Sequence, residues 1–163
     1  MTRLIATFFN AGLLRPAPGT WGTLAALPPA WALHWLGGFA LLAAATVAVF
    51  AIGWWAVARE TAGKADHDPS EIVIDEVAGM WLALWPVSLG AAQAGLDPLR
   101  LWPGVVTAFV AFRLFDILKP GPVGWADRRH TPLGVMLDDV IAGAMAALVV
   151  ALLAAVAHLG LGL

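Results

Sequence analysis

The chain has 163 residues, of which 61% are hydrophobic and only 12% charged, with a mean hydropathy of +0.82 and a net charge of -2. A soluble domain carries charges on about a quarter of its residues, and one this small could not hide so much apolar surface, so the long uncharged runs define an integral membrane protein. The absence of cysteine excludes disulfides, thiolate metal sites and a cysteine nucleophile; no nucleic-acid partner is expected.

In chain order, Leu4/Phe8 and Ile5/Phe9 recur at i, i+4 and predict a short helix within residues 1–14, lying at the membrane surface. Arg15 follows this apolar run where a secretory signal would have a small-residue cleavage site. Arg15 to Thr23 reads as a proline- and glycine-rich loop, with Thr20 or Thr23 able to cap the next helix. Leu24 to Leu36 is short for a span, Pro28-Pro29 is expected to break or kink it, and Gly37-Gly38 to turn the chain. Phe39 to Ala58 is a full span, with Trp54 and Trp55 as interface anchors. A polar loop then leads to Asp68-Pro69-Ser70-Glu71, which reads as the start of a helix that carries Asp75 and Glu76 and continues from Val77 to Gly95. Asp97-Pro98 makes a turn, Leu101 to Leu118 forms the next span, and Val140 to Leu163 the last. The expectation is an all-α, polytopic membrane helical bundle of four to five membrane segments, a single domain over 1–163. Residues 24–36 either cross or re-enter.

With five crossings, Arg3, Arg15, Arg59, Lys64, Lys119, Arg128 and Arg129 share one side and Arg100 stands alone on the other. The positive-inside rule places the N-terminus in the cytoplasm, and every polar motif gathers on that face.

From the end of the Leu101–Leu118 span to the start of the last, Arg113 to Asp139 concentrates four of the nine basic and four of the eleven acidic residues. Asp75-Glu76 and Asp138-Asp139 are two similar acidic helix starts. Asp75 and Gly79 are i, i+4, as are Asp139 and Gly143, so each acid shares a helix face with a glycine that lets another helix approach just beneath it. Oxygen ligands from Asp75, Glu76, Asp138 and Asp139 would suit magnesium, although acids at helix N-termini also favour the macrodipole without a metal. Arg113 and Asp116 lie one turn apart within a span and either pair with each other or serve a site. Arg113 and Lys119, with Arg128, are candidates to hold a phosphate. Arg128 and Arg129 serve equally as topology determinants or anionic-lipid contacts. Gly19, Thr20 and Thr23 form a candidate anion cradle at a helix start. His67 and His130 lie in polar loops as candidate proton shuttles, whereas His34 and His158 read as structural.

Taken together, residues 18–23, 68–76 with Gly79, 112–120, Asp127-Arg128 and Asp138-Asp139 with Gly143 resemble the phosphatidylglycerophosphatase A family, in the family's order and over most of the chain. Gly121 stands where that family often has a bulky aromatic. The resemblance implies a magnesium-dependent phosphatase in a bacterial cytoplasmic (inner) membrane, hydrolysing phosphatidylglycerophosphate to phosphatidylglycerol and inorganic phosphate. The catalytic set would be Asp75, Glu76, Arg113, Asp116, Lys119 and Asp139, with a phospholipid in the bilayer as partner. The alternatives are a phosphatase or phosphotransferase for another phospholipid, and a small transporter with Arg113–Asp116 as an intramembrane pair.

Overall fold

The computed structural model describes residues 1–64 and 66–161. Among these, all regular structure is helical: α1 (Thr2–Ala6), α2 (Pro18–Glu60), α3 (Ile74–Ala83), α4 (Trp85–Ala94), α5 (Trp102–Leu118), α6 (Pro122–Asp127) and α7 (Pro132–Leu161), with short 3-10 turns at Ala11–Leu13 and Pro98–Leu101. Three helical stretches are long and apolar enough to cross a membrane, and α3 with α4 makes a fourth if that bent pair is one span. The four to five expected segments are therefore matched roughly.

α2 is 43 residues long, which as a straight rod would be about 64 Å, twice the hydrocarbon thickness of a bilayer. It breaks at Gly37 and Gly38, the latter at φ 64°, ψ -159°, a region open essentially to glycine. The two arms, 18–36 and 39–60, run back along α3 and α4. Gly22 and Gly53 abut Val73 and Ile74 at one end. Further along, the indole of Trp81 donates to the Ala26 carbonyl at 2.8 Å, and that of Trp85 to the Thr46 hydroxyl at 3.2 Å. α3 is thus the central element. Its Val77, Ala78 and Met80 are buried, as are Phe112 of α5 and Met136 of α7, which pack in the same core. Leu148, Leu152 and Val156 on α7, and Val106, Val110, Leu114 and Ile117 on α5, form exposed apolar stripes at helical spacing. Such stripes fit contact with acyl chains and would be a liability in water.

Several expectations are corrected. Pro28-Pro29 does not break the helix, which continues to the glycine pair; both prolines hold a helix-compatible φ, and only the carbonyls one turn earlier lose their donors. α2 starts at Pro18, so Thr20 and Thr23 lie inside it and neither caps it. α3 starts at Ile74, not at Asp68, because the preceding segment is held by the N-terminus: the Val73 N–H donates to the Ala6 carbonyl at 2.9 Å. The surface helix shrinks to Thr2–Ala6, followed by three left-handed residues, Phe8, Phe9 and Asn10. The run from Val77 to Gly95 bends by 41° between α3 and α4, where Pro86 cannot donate to the turn before it. α7 begins eight residues before Val140, and the expected end of that span at Gly162 and Leu163 lies outside the described residues. Asp138 and Asp139 consequently sit two turns inside α7, not at its start.

Candidate active site

The site forms where α3 and α7 cross. Gly79 and Gly143 meet backbone to backbone: a Cβ on Gly143 would collide with the Gly79 carbonyl, and one on Gly79 would lie 2.5 Å from both the Asp139 carbonyl and the Phe112 ring. Without side chains between them the helices approach closely, and the acids one turn away are drawn together. Carboxylate oxygens of Asp75, Glu76 and Asp139 all lie within 4.8 Å of one another. Asp75 and Asp139 are 6% and 3% exposed. The Asp75 carboxylate also accepts from the Glu76 N–H at 3.1 Å.

Arg113 of α5 closes one side, 3.8 Å from Glu76 and 2.5 Å from Asp116; the Asp116 carboxyl also neighbours Asp139. Four carboxylates thus cluster in a largely buried space, two of them against one guanidinium. Glu76 Oε2 and Arg113 Nε are buried without hydrogen-bond partners, whereas Arg113 Nη1 is taken up by its ion pair with Asp116, so one acceptor and one donor remain unused. Gly19, in the first turn of α2, lies against this group. A side chain there would run into Glu76 Oε1 and come within 3.1 and 3.2 Å of the two Arg113 Nη atoms. The first turn of α2 therefore borders the same space, where the dipole of a helix start favours an anion. Thr23 is buried, and its hydroxyl donates to the Gly19 carbonyl at 2.7 Å, fixing the turn from within. Thr20 is half-buried in that turn.

The trio fits a divalent cation: all its donors are oxygens, one is unpaired and buried, and their charge exceeds that of Arg113. Asp138, expected among the metal ligands, instead accepts from Lys119 Nζ at 3.0 Å. Lys119 also donates to Asp127. Burial alone would lower the Lys119 pKa, but these two carboxylates outweigh it and hold the ammonium above its ordinary range. Arg128 is exposed at the end of α6, and Arg129 stacks 3.9 Å over the Trp125 ring.

Beside Lys119, a polar cleft of about 240 Å³ is lined by Asp66, His67, Asp68, Asp127, His130 and Val135. Asp68 opens onto it, yet surrounding protein displaces enough water to raise its carboxyl above the ordinary range; Lys119 opposes this, and Asp127, Asp66 and Asp116 add to it. The sequence offered Asp68 as a helix cap, and the signal missed was its place among other acids. His34 lies at the other end, bonded to Ser88 at 2.7 Å, and His158 bonds its own helix at the Ala154 carbonyl.

Residues 4–154 match the family described as phosphatidylglycerophosphatase A. The chain is 36% identical over 148 residues to the phosphatidylglycerophosphatase A of Haemophilus influenzae, covering 90% of this chain and 85% of that protein. It is 34% identical over 145 residues to the Escherichia coli protein of the same name, covering 88% and 78%. A putative phosphatidylinositol-3-phosphatase of Bacteroides thetaiotaomicron is 38% identical over 152 residues, covering 91% and 90%. No solved structure matches the chain.

Proposed function

The chain belongs to the phosphatidylglycerophosphatase A family, and on that premise we propose that it is a magnesium-dependent lipid phosphatase that releases inorganic phosphate from phosphatidylglycerophosphate. The observation that carries the magnesium reading is the imbalance of charge at the α3–α7 crossing: among the described residues, the cluster of Asp75, Glu76, Asp116 and Asp139 has one ion-paired cation, Arg113, which meets Glu76 and Asp116. Buried carboxylates in such excess need a cation or protons.

Asp75, Glu76 and Asp139 would hold the magnesium, which when bound offsets phosphate charge and lowers the pKa of water. Arg113 meets the phosphate oxygens with its unused Nε donor. The amides of Gly19 and Thr20, at the opening of α2, face the phosphate from the other side. Asp116 holds Arg113 in place. Lys119, whose ammonium is engaged by two carboxylates, and the exposed Arg128 are left outside this inner shell. The acyl chains stay in the bilayer beside the apolar outer faces of α5 and α7. The seven basic residues expected on one side favour an inner-membrane orientation with this end toward the cytoplasm.

A second reading, action on another lipid phosphomonoester, is favoured by the similarity to the putative phosphatidylinositol-3-phosphatase. The test is phosphate release by purified protein in detergent from phosphatidylglycerophosphate, phosphatidylinositol 3-phosphate and phosphatidic acid, with magnesium or with a chelator. Magnesium-dependent release, greatest from phosphatidylglycerophosphate, is expected. No metal-dependent release by folded protein from any of the three would sink the proposal, and preference for the inositol lipid would move it to the second reading.

A further inference from the structure

Lys119 joins three elements. It ends α5 in the left-handed conformation, φ 46°, ψ 51°, and its carbonyl packs against Gly124 of α6 so closely that a side chain there would collide. Its ammonium meets Asp127, the last residue of α6, and Asp138 of α7. Asp127 is the outer member, with its side chain 36% exposed, and Asp138 the inner one, with its side chain 7% exposed. The next residue along, Asp139, belongs to the carboxylate trio.

Successive residues on an α-helix are about 100° apart. A rotation of α7 that carried Asp138 into the trio would carry Asp139 out of it. Which of the two adjacent acids faces α3 therefore depends on what occupies the other. We propose that Asp127, Lys119 and Asp138 form a positioning unit, in which Asp127 steadies the ammonium, the ammonium engages Asp138, and α7 is thereby held at the rotation that points Asp139 at Asp75 and Glu76. This rests on the role given to Asp139 above, but it gives Lys119 a task other than gripping phosphate and brings in Asp127, which lies outside the trio. The unit acts on ligand geometry in the way that outer partners of metal ligands do.

The experiment compares Asp127→Asn, Lys119→Met, Lys119→Arg and the Asp127→Asn/Lys119→Met double variant in detergent. It reads kcat and KM for phosphatidylglycerophosphate and, without substrate, Mn2+ affinity by calorimetry. Asp127→Asn and Lys119→Met should each lower kcat and weaken Mn2+ binding by about 10- to 100-fold, the range for outer partners of metal ligands, with KM little changed. The double variant should be no worse than Lys119→Met, since both act through one contact chain, and Lys119→Arg should recover part of the loss. Asp127 is half-exposed, so its amide variant tests the unit even if Lys119→Met fails to fold. If Lys119→Met raises KM while Mn2+ affinity is kept, Lys119 is a phosphate clamp and the proposal is wrong; it is equally wrong if Asp127→Asn leaves both readings unchanged. A wild-type protein that neither binds Mn2+ nor releases phosphate overturns the functional reading and this inference together.

Discussion

The two acidic pairs, Asp75-Glu76 on α3 and Asp138-Asp139 on α7, look interchangeable as sequence but differ in what the fold asks of them. In both, the first carboxylate accepts from the next residue's N–H, at 3.1 Å and 3.0 Å. In both, a glycine four residues after one acid marks the helix crossing. The α3 pair lies in the first turn of its helix and sends both carboxylates into the trio. The α7 pair lies two turns inside its helix and divides, Asp139 to the trio and Asp138 to Lys119. Aligned by their glycines, Asp75 corresponds to Asp139, and Asp138 has no counterpart on α3. Similar local sequence thus yields one pair that joins the trio whole and one pair that is split between the trio and Lys119, and the neighbouring ammonium makes the difference.

The largest effect should come from removing either glycine-aligned acid. Asp75→Asn and Asp139→Asn are each expected to lower phosphate release by about a thousandfold or more, a loss of roughly 4 kcal/mol of transition-state stabilisation. Asp138→Asn should cost less, about 10- to 100-fold, as an outer partner does. Single-turnover phosphate release in saturating magnesium measures all three. Equal losses at Asp138 and Asp139 would erase the distinction between ligand and tether.

Next come the glycines. Gly143→Ala and Gly79→Ala each place a methyl group against backbone that cannot step aside, and Gly79→Ala also meets the buried Phe112 ring. Overpacking of this kind costs about 1–3 kcal/mol, and separating α3 from α7 should lower activity as well. Gly90→Ala is the control: its added carbon would find only a Leu101 methyl at 3.8 Å, so it should be neutral or slightly stabilising, by up to about 1 kcal/mol. Thermal unfolding in detergent, read beside activity, ranks the three. A Gly143→Ala variant as stable and active as wild type would show that the crossing does not set the trio.

How much of this was legible beforehand follows the range of the forces involved. The Asp75/Gly79 and Asp139/Gly143 spacings are local, and they located the crossing and three of the four expected metal ligands as neighbours. The turn at Gly37-Gly38 was equally local, since few other residues reach φ 64° with that ψ. The start of α3 was not legible, because what delays the helix to Ile74 is the Ala6 carbonyl, more than sixty residues earlier in the chain. The diversion of Asp138 was hidden for the same reason: it needs Lys119, nineteen residues away, placed by a left-handed helix end and a close contact with α6. Asp68 was legible as a residue type but not as a member of the cleft, which takes its walls from the 66–68 loop, α6 and the start of α7.

The smallest effect tests the charge contrast between the approaches to the two pairs. Before α7's pair, Lys119 compensates two acids, whereas Asp68, on the loop leading to α3, lies among acids with only a share of that lysine. Burial raises the folded-state pKa of Asp68 above its ordinary 3.8, further than Lys119 lowers it, with Asp127, Asp66 and Asp116 adding to the rise. The folded protein therefore binds this proton more tightly than the unfolded chain. Its contribution to stability is fully present below pH 3.8 and is lost as pH rises through the raised value. Asp68→Asn removes that loss, so its stability relative to wild type should increase from about pH 4 upward and level off once the wild-type carboxyl is ionised. Denaturation curves at successive pH values measure the difference. A gap that does not change with pH would mean that Asp68 is as well compensated as Asp138, and the contrast between the two approaches would rest on geometry alone.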